Sequence, residues 1–174
     1  YRTKPDAWAP DFRYENFTQF EREILGYAER YYTSPERYYE SAKRIFQNHL
    51  DQNVRYVETS FHLGIVENIG ATGIDILEAI KASVPEGLEV RVFLGMLRNH
   101  YHGDLATLVD QVHTWDKLDG IDMHGHETIP WGSWAGDVWK RVREAGKCTK
   151  GHAGEFEGAK DVNTALDLLK TKRI

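Results

Sequence analysis

The stretch KGHAGEFEGAKDV, residues 150–162, sets a histidine and a glutamate three residues apart among small residues. Neutral imidazole is a good ligand for Zn2+. A carboxylate beside it can carry protons to and from metal-bound water. Ala153 and Gly154 lie between His152 and Glu155 and let a substrate approach the backbone closely. Taken alone, the pair reads equally as a polar turn between a strand and a helix, with Glu155 near the helix N-terminus. Three similar clusters precede it: Glu58, Ser60 and His62; Arg98, Asn99 and His100; Asp122, His124 and His126. The elements that carry these clusters decide between the two readings.

VRYVETSF (54–61), LEVRVFLGML (88–97), LDGIDMHG (118–125) and KCTKGHAG (147–154) read as strands. Helical patterns follow each of them, over 73–84, 103–115, 133–146 and 159–172. In the last, Val162, Ala165, Leu166 and Leu169 are expected to face inward, and Ile174 to open a further strand. Residues 1–53 supply two leading helices, and residues 54–174 supply successive β-α units. Phe17, Phe20, Ile24 and Tyr27 lie at helical spacing in the first helix. Thr33 or Ser34 and Pro35 suit the start of the second, with Tyr38, Ala42, Ile45, Phe46 and Leu50 along its apolar face.

Strand and helix alternating in this order build a parallel sheet, closed as a barrel or open as a doubly wound sheet. No G-x-G-x-x-G follows any strand, so the dinucleotide-binding version lacks its fingerprint. In both architectures chemistry sits at the C-terminal ends of the strands. All four polar clusters fall there, which favours a lined pocket over four unrelated turns.

The chain carries 22 Lys+Arg against 27 Asp+Glu. That acidic balance argues against nucleic acid as a partner. No apolar run approaches a membrane span, so no membrane partner is expected. Cys148 is the single cysteine, which rules out an internal disulfide, suits a reducing compartment such as the cytoplasm, and is expected to be a buried strand residue. Tyr31-Tyr32 and Tyr38-Tyr39 read as packing pairs. Trp131 and Trp134 suit a pocket wall and a core equally.

The strings themselves carry a resemblance. HAGE resembles the motif of the adenosine deaminase family, zinc hydrolases built on a (β/α)8 barrel. GIDMHGHETIP resembles that family's G-I-D-L-A-G-D-E segment, VRYVETSF its V-x-Y-x-E-x-R strand, and VRVFLGMLR its R-x-I-L-x-x-x-R strand. HAGEFEGAKDVNTALDLLKTKRI is similar to the family's run into its next strand. The order of the blocks agrees as well. The resemblance implies a partial (β/α)8 TIM barrel, about four β-α units preceded by two helices, with residues 1–174 the central part of one barrel domain. It implies His152 as a Zn2+ ligand and Glu155 as the catalytic acid that protonates the purine ring nitrogen beside the carbon under attack. It also implies Gly125 as a backbone contact to the purine and Asp122 as a supporting acidic residue of the substrate site. The reaction expected of the whole protein is hydrolytic deamination of adenosine or a related purine nucleoside, with release of ammonia. A dry pocket would favour the protonated acid that this requires.

Three departures from the family's pattern leave alternatives open. The family's H-x-H pair of zinc ligands is expected before Tyr1, and its later histidine and aspartate after Ile174. The family's A-G-D-E is HGHE here, so His124 and His126 replace a small residue and an acid beside the purine position. Gly151 stands where an apolar strand residue is usual. A deaminase of a different aminopurine therefore stays open, as does a non-catalytic binding or interaction module. A rearranged zinc site built from His124, His126 and His152 is a further alternative, while His100 and His102 are read as a solvated loop. Alone, the chain is expected to hold zinc poorly and to self-associate through open sheet edges.

Overall fold

The computed structural model describes residues 4–171, 173 and 174. Tyr1 and Lys172, which mark the opening of the chain and the expected end of its last helix, lie outside the described residues. Two helices lead, α1 (Phe17–Tyr31) and α2 (Pro35–Asp51). Four strands follow: β1 (Tyr56–His62), β2 (Glu89–Leu97), β3 (Gly120–His124) and β4 (Cys148–Gly151). Between and after them come α3 (Leu63–Ile69), α4 (Gly73–Ala82), α5 (Gly103–Gln111), α6 (Trp134–Glu144) and α7 (Gly158–Leu169).

The strands form one parallel sheet in the order β1-β2-β3-β4. This is an α/β architecture with helices crossing between neighbouring parallel strands, as in part of a barrel. Side chains alternate between the faces of each strand. One set, Val90, Val92, Leu94 and Met96 of β2 with Ile121 and Met123 of β3, is buried in the same core as Ile76 and Leu77 of α4 and Val138, Trp139 and Val142 of α6. Burying side chains of this size fully contributes about 1.5–3 kcal/mol each. The other set, Glu58, Ser60 and His62 of β1, Asp122 and His124 of β3, and Lys150 of β4, carries the polar groups. A shift of one residue in any strand would exchange the two sets.

Local chemistry fixes the helix starts. Asn16 caps α1 by accepting the Gln19 N–H at 2.9 Å. Pro35 occupies the first turn of α2 after Ser34. Thr72 and Asp75 form a reciprocal capping box at α4. Trp139, fully buried in α6, donates its indole N–H to the Lys150 carbonyl at 3.3 Å, which ties α6 to the strand leading to His152.

Several expectations need correction. The short helix α3 directly follows β1, where the sequence shows only the brief run LGIVENI. The helix expected over 103–115 is α-helical to Gln111 and finishes as a 3-10 turn. Cys148 is exposed, because Thr149 and Gly151 take the buried side of β4. Leu166 and Ile45 are also exposed, while Ala165, Leu169, Tyr38, Ala42 and Phe46 are buried as their helical spacing requires. Helix α1 has no buried residue. Ile174 belongs to no strand, but the Gly151 N–H donates to the Arg173 carbonyl at 3.3 Å and the Thr171 hydroxyl donates to the Thr149 carbonyl, so Thr171 and Arg173 lie beside β4.

Candidate active site

Parallel pairing brings the C-terminal ends of all four strands to one side. His152 follows β4, and its backbone N–H donates to the Met123 carbonyl of β3 at 2.7 Å. Its Nδ1 lies 3.2 Å from both Asp122 Oδ1 and the Met123 carbonyl. With Nδ1 occupied, Nε2 is the atom available to a ligand. The hydrogen bond that His152 donates to Asp122 raises the pKa of His152 against the opposing effect of burial. Asp122 itself is buried and also accepts from Ser60 Oγ at 3.3 Å, with Lys150 Nζ 3.7 Å away.

Glu155 is held differently. Its backbone N–H donates to Glu127 Oε1 at 2.9 Å, while the residue itself is exposed. The described residues therefore do not form the dry pocket expected around this carboxyl. Gly125 sits at φ +89°, in the left-handed region, and a Cβ there would meet Leu97 Cδ2 at 2.3 Å. The backbone conformation favours glycine, and a Cβ would also require the Leu97 side chain to move. Gly125, His124, His152 and Glu155 line one cavity of about 470 Å3, walled on its far side by Phe17, Phe20 and Ile24 of α1. Asp122 borders two further depressions that share His152.

Three further imidazoles crowd the strand ends. His62 Nδ1 and His124 Nε2 are 3.3 Å apart, and the ring centroids of His62 and His100 are 5.1 Å apart. Gly95 makes room for His124, since a Cβ there would lie 2.6 Å from its Nε2. Burial, reinforced by neighbouring imidazoles, pushes His62, His100 and His124 each down to about 4, so all three are neutral near pH 7. His100 is thus not in a solvated loop. The Leu97 N–H donates to its Nδ1 at 3.1 Å and tucks the ring under the turn after β2. His102 is exposed at the start of α5, as expected.

The arrangement of His124, His126 and His152 as a zinc site does not form. His126 turns to α1, with its Nε2 3.3 Å from Glu21 Oε2 and its ring edge-on to Phe17. Among the described residues, no three His, Cys, Asp or Glu side chains converge as a metal site. His152 alone has the chemistry of a zinc ligand: an imidazole whose Nδ1 is fixed by a carboxylate and whose Nε2 is left free. A catalytic zinc takes three protein ligands, so the described residues fit the metal in part.

Glu127 escaped the sequence reading. It is 4 % exposed and accepts backbone N–H groups from Glu155, Phe156 and Glu157. Its signal was the last letter of GIDMHGHE, which coincides with the closing glutamate of the family segment. Trp131 and Trp134 do not wall the cavity. Trp131 lies under the Arg98 guanidinium at 3.7 Å, and Trp134 stacks on Tyr101 at 4.9 Å.

Residues 2–174 match the family model described as adenosine deaminase. An adenine deaminase of Rhodopseudomonas palustris (strain BisB18) is 33 % identical over 89 residues, covering 51 % of this chain and 26 % of that one. The solved structure of an amidohydrolase from Burkholderia ambifaria with bound Zn superposes with a TM-score of 0.75 at 26 % identity, covering 87 % of this chain and 44 % of that chain. That of an adenine deaminase from Arthrobacter aurescens gives a TM-score of 0.74 at 17 % identity, over 94 % of this chain and 55 % of that one. The chain thus spans between about a quarter and about half of the length of these relatives. Because the family model matches nearly the whole of this chain, the chain belongs to the adenosine deaminase family.

Proposed function

We propose that the protein is a zinc-dependent hydrolase that replaces the exocyclic amino group of adenosine, or of a related purine, by an oxo group and releases ammonia. The observation that carries this reading is the anchored His152, with Nδ1 on Asp122, beside Glu155 and Gly125 on one cavity. His152 would hold the metal through Nε2. When bound, zinc supplies hydroxide near neutral pH. Glu155 donates a proton to the purine ring nitrogen, so that the ring accepts the nucleophile. The Gly125 backbone contacts the purine, and Asp122 fixes the orientation of His152. Residues 1–174 form the central part of one barrel domain in this reading, and the remaining ligands come from outside the described residues.

A second reading, a different aminopurine as substrate, is favoured by His124, whose neutral imidazole lines the cavity where the family segment has a small residue. Zinc content and ammonia release from adenosine, adenine and adenosine monophosphate, measured on the whole protein, test both. Release from adenosine with bound zinc is expected. Release from adenine alone would select the second reading, and no release from any aminopurine would remove both. The isolated chain is expected to associate through the outer edge of β1, which pairs only with β2 among the described residues. Its mass in solution checks this, and a monomer would refute it.

A further inference from the structure

We infer that Glu127 is the positioning residue for Glu155, acting through the backbone of the turn that carries it; the kinetic part of this inference rests on the proposed deaminase reading. Glu127 belongs to the loop after β3, and Glu155 to the loop after β4. One carboxylate spans the two: Oε1 accepts the Glu155 N–H at 2.9 Å, and Oε2 accepts those of Phe156 at 2.8 Å and Glu157 at 2.9 Å. These groups stand just ahead of α7, whose own cap residue Glu157 supplies no side-chain bond. Backbone N–H groups at a helix start need outside partners. Here the partner comes from another β-α unit. Burial pushes the Glu127 carboxyl up, but the three N–H groups and Arg98 outweigh it and hold it below the ordinary glutamate range. It is therefore an anion that accepts all three bonds.

A second attachment makes the coupling rigid. Arg98, 5 % exposed at the end of β2, donates to the carbonyls of Glu127 at 2.8 Å and Ile129 at 3.0 Å. The same guanidinium pairs with Asp161 of α7 at 2.5 Å, and Trp131 donates its indole N–H to Asp161 at 2.6 Å. The loop bearing Gly125 is thus fastened to both the turn and the first helical residues that follow Glu155. Neither Glu127 nor Arg98 lines the cavity. Their effect on chemistry passes through the spacing between the Gly125 backbone and Glu155.

The test is Glu127→Gln in the whole protein. The amide keeps the volume but replaces one acceptor oxygen with a donor, so in either orientation a backbone N–H faces an N–H. Misplacing a catalytic group by about 1 Å costs on the order of 10²-fold. The expected result is a kcat about 10- to 100-fold lower, with KM and zinc content within about threefold of the parent. In a Glu155→Gln background the further loss should vanish, because the positioned acid is gone. A purely structural role would instead multiply the two losses. Amide hydrogen exchange supplies a measurement that does not depend on catalysis. The Glu155–Glu157 amides should be protected in the parent and exposed in Glu127→Gln. A kcat within about twofold of the parent, multiplying losses, or unprotected amides in the parent would each overturn the inference. If the parent releases no ammonia from any aminopurine, the deaminase reading falls, and exchange at these three amides decides whether Glu127 holds the turn.

Discussion

His152 and Glu155 stand three residues apart in one turn, yet the protein holds them in opposite ways. His152 is gripped by its side chain: Asp122, on the neighbouring strand, takes Nδ1. Glu155 is gripped by its backbone: Glu127 takes its N–H, and its carboxylate projects without a partner among the described residues. The difference suits the two tasks proposed for them. A metal ligand works by keeping one nitrogen at one point, so its ring is locked. A proton donor must reach a substrate atom, so its side chain is left unpaired and only its origin is fixed.

The largest effect should come from breaking each arm at its functional atom. His152→Ala removes the proposed ligand, and in the whole protein should abolish both bound zinc and turnover. Glu155→Gln keeps the shape but cannot deliver a proton; it should retain zinc and lose about 10²- to 10⁴-fold in kcat. Metal analysis and ammonia release on both variants read the split. Near-parental turnover in Glu155→Gln would remove Glu155 from the reaction.

Next comes the support of the glutamate arm. Asp161→Ala leaves the Arg98 guanidinium buried without its carboxylate. Removing one partner of a buried pair costs about 3–5 kcal/mol. Urea unfolding should show a loss of that order, and amide exchange should place the earliest opening at residues 155–161. A loss under about 1 kcal/mol would mean that the Trp131 ring and the loop carbonyls suffice to hold Arg98.

How much of this was legible beforehand divides along the same line. The four strands, and the gathering of His152 and Asp122 at one set of strand ends, follow from hydrophobic patterning and parallel order. Their direct contact was not legible, because the register sets Asp122 beside Lys150 and His152 reaches back to it from beyond the end of β4. The GIDMHGHE and HAGE strings pointed to the cavity residues His152, Glu155 and Gly125. The grip on Glu155 was not legible. It joins two loops 28 residues apart in sequence, which meet only once the sheet has formed. His100 was misread for a similar reason: its burial depends on a turn that folds the ring back against the Leu97 N–H. Cys148 shows the reverse case, where strand alternation alone would have placed it opposite Thr149.

The histidine side of the strand ends carries its own pH signature. His62, His100 and His124 are pushed from 6.5 to about 4 by burial first and by neighbouring imidazoles second. The unfolded chain takes up these protons near pH 6.5, while the folded chain resists until about pH 4. Stability from their neutral burial is complete above pH 6.5 and falls as pH drops towards 4. A single imidazole so shifted loses about 2 kcal/mol by pH 5. Urea midpoints at pH 7.5, 6 and 5 should fall in that order, and His100→Gln should flatten the slope. Equal midpoints at pH 7.5 and 5 would show that these rings are hydrated.

The finest distinction between the arms lies in Asp122→Asn. The amide oxygen can still accept from His152 Nδ1, and the Met123 carbonyl remains 3.2 Å away, so the ring keeps its orientation. What disappears is the negative charge that raises the basicity of the imidazole. Carboxylates behind a metal-binding histidine typically contribute about 10- to 100-fold in metal affinity. With the Met123 carbonyl in reserve, the lower end of that range is expected for zinc, measured on the whole protein by competition with a chelator. The Glu155–Glu157 amides should keep their protection, because Glu127 reaches them without passing through Asp122. Weaker zinc binding with unchanged exchange at those amides means two independent grips on one turn. Loss of protection alongside loss of zinc would mean that the turn is held as a single unit, and the contrast between side-chain and backbone anchoring would collapse.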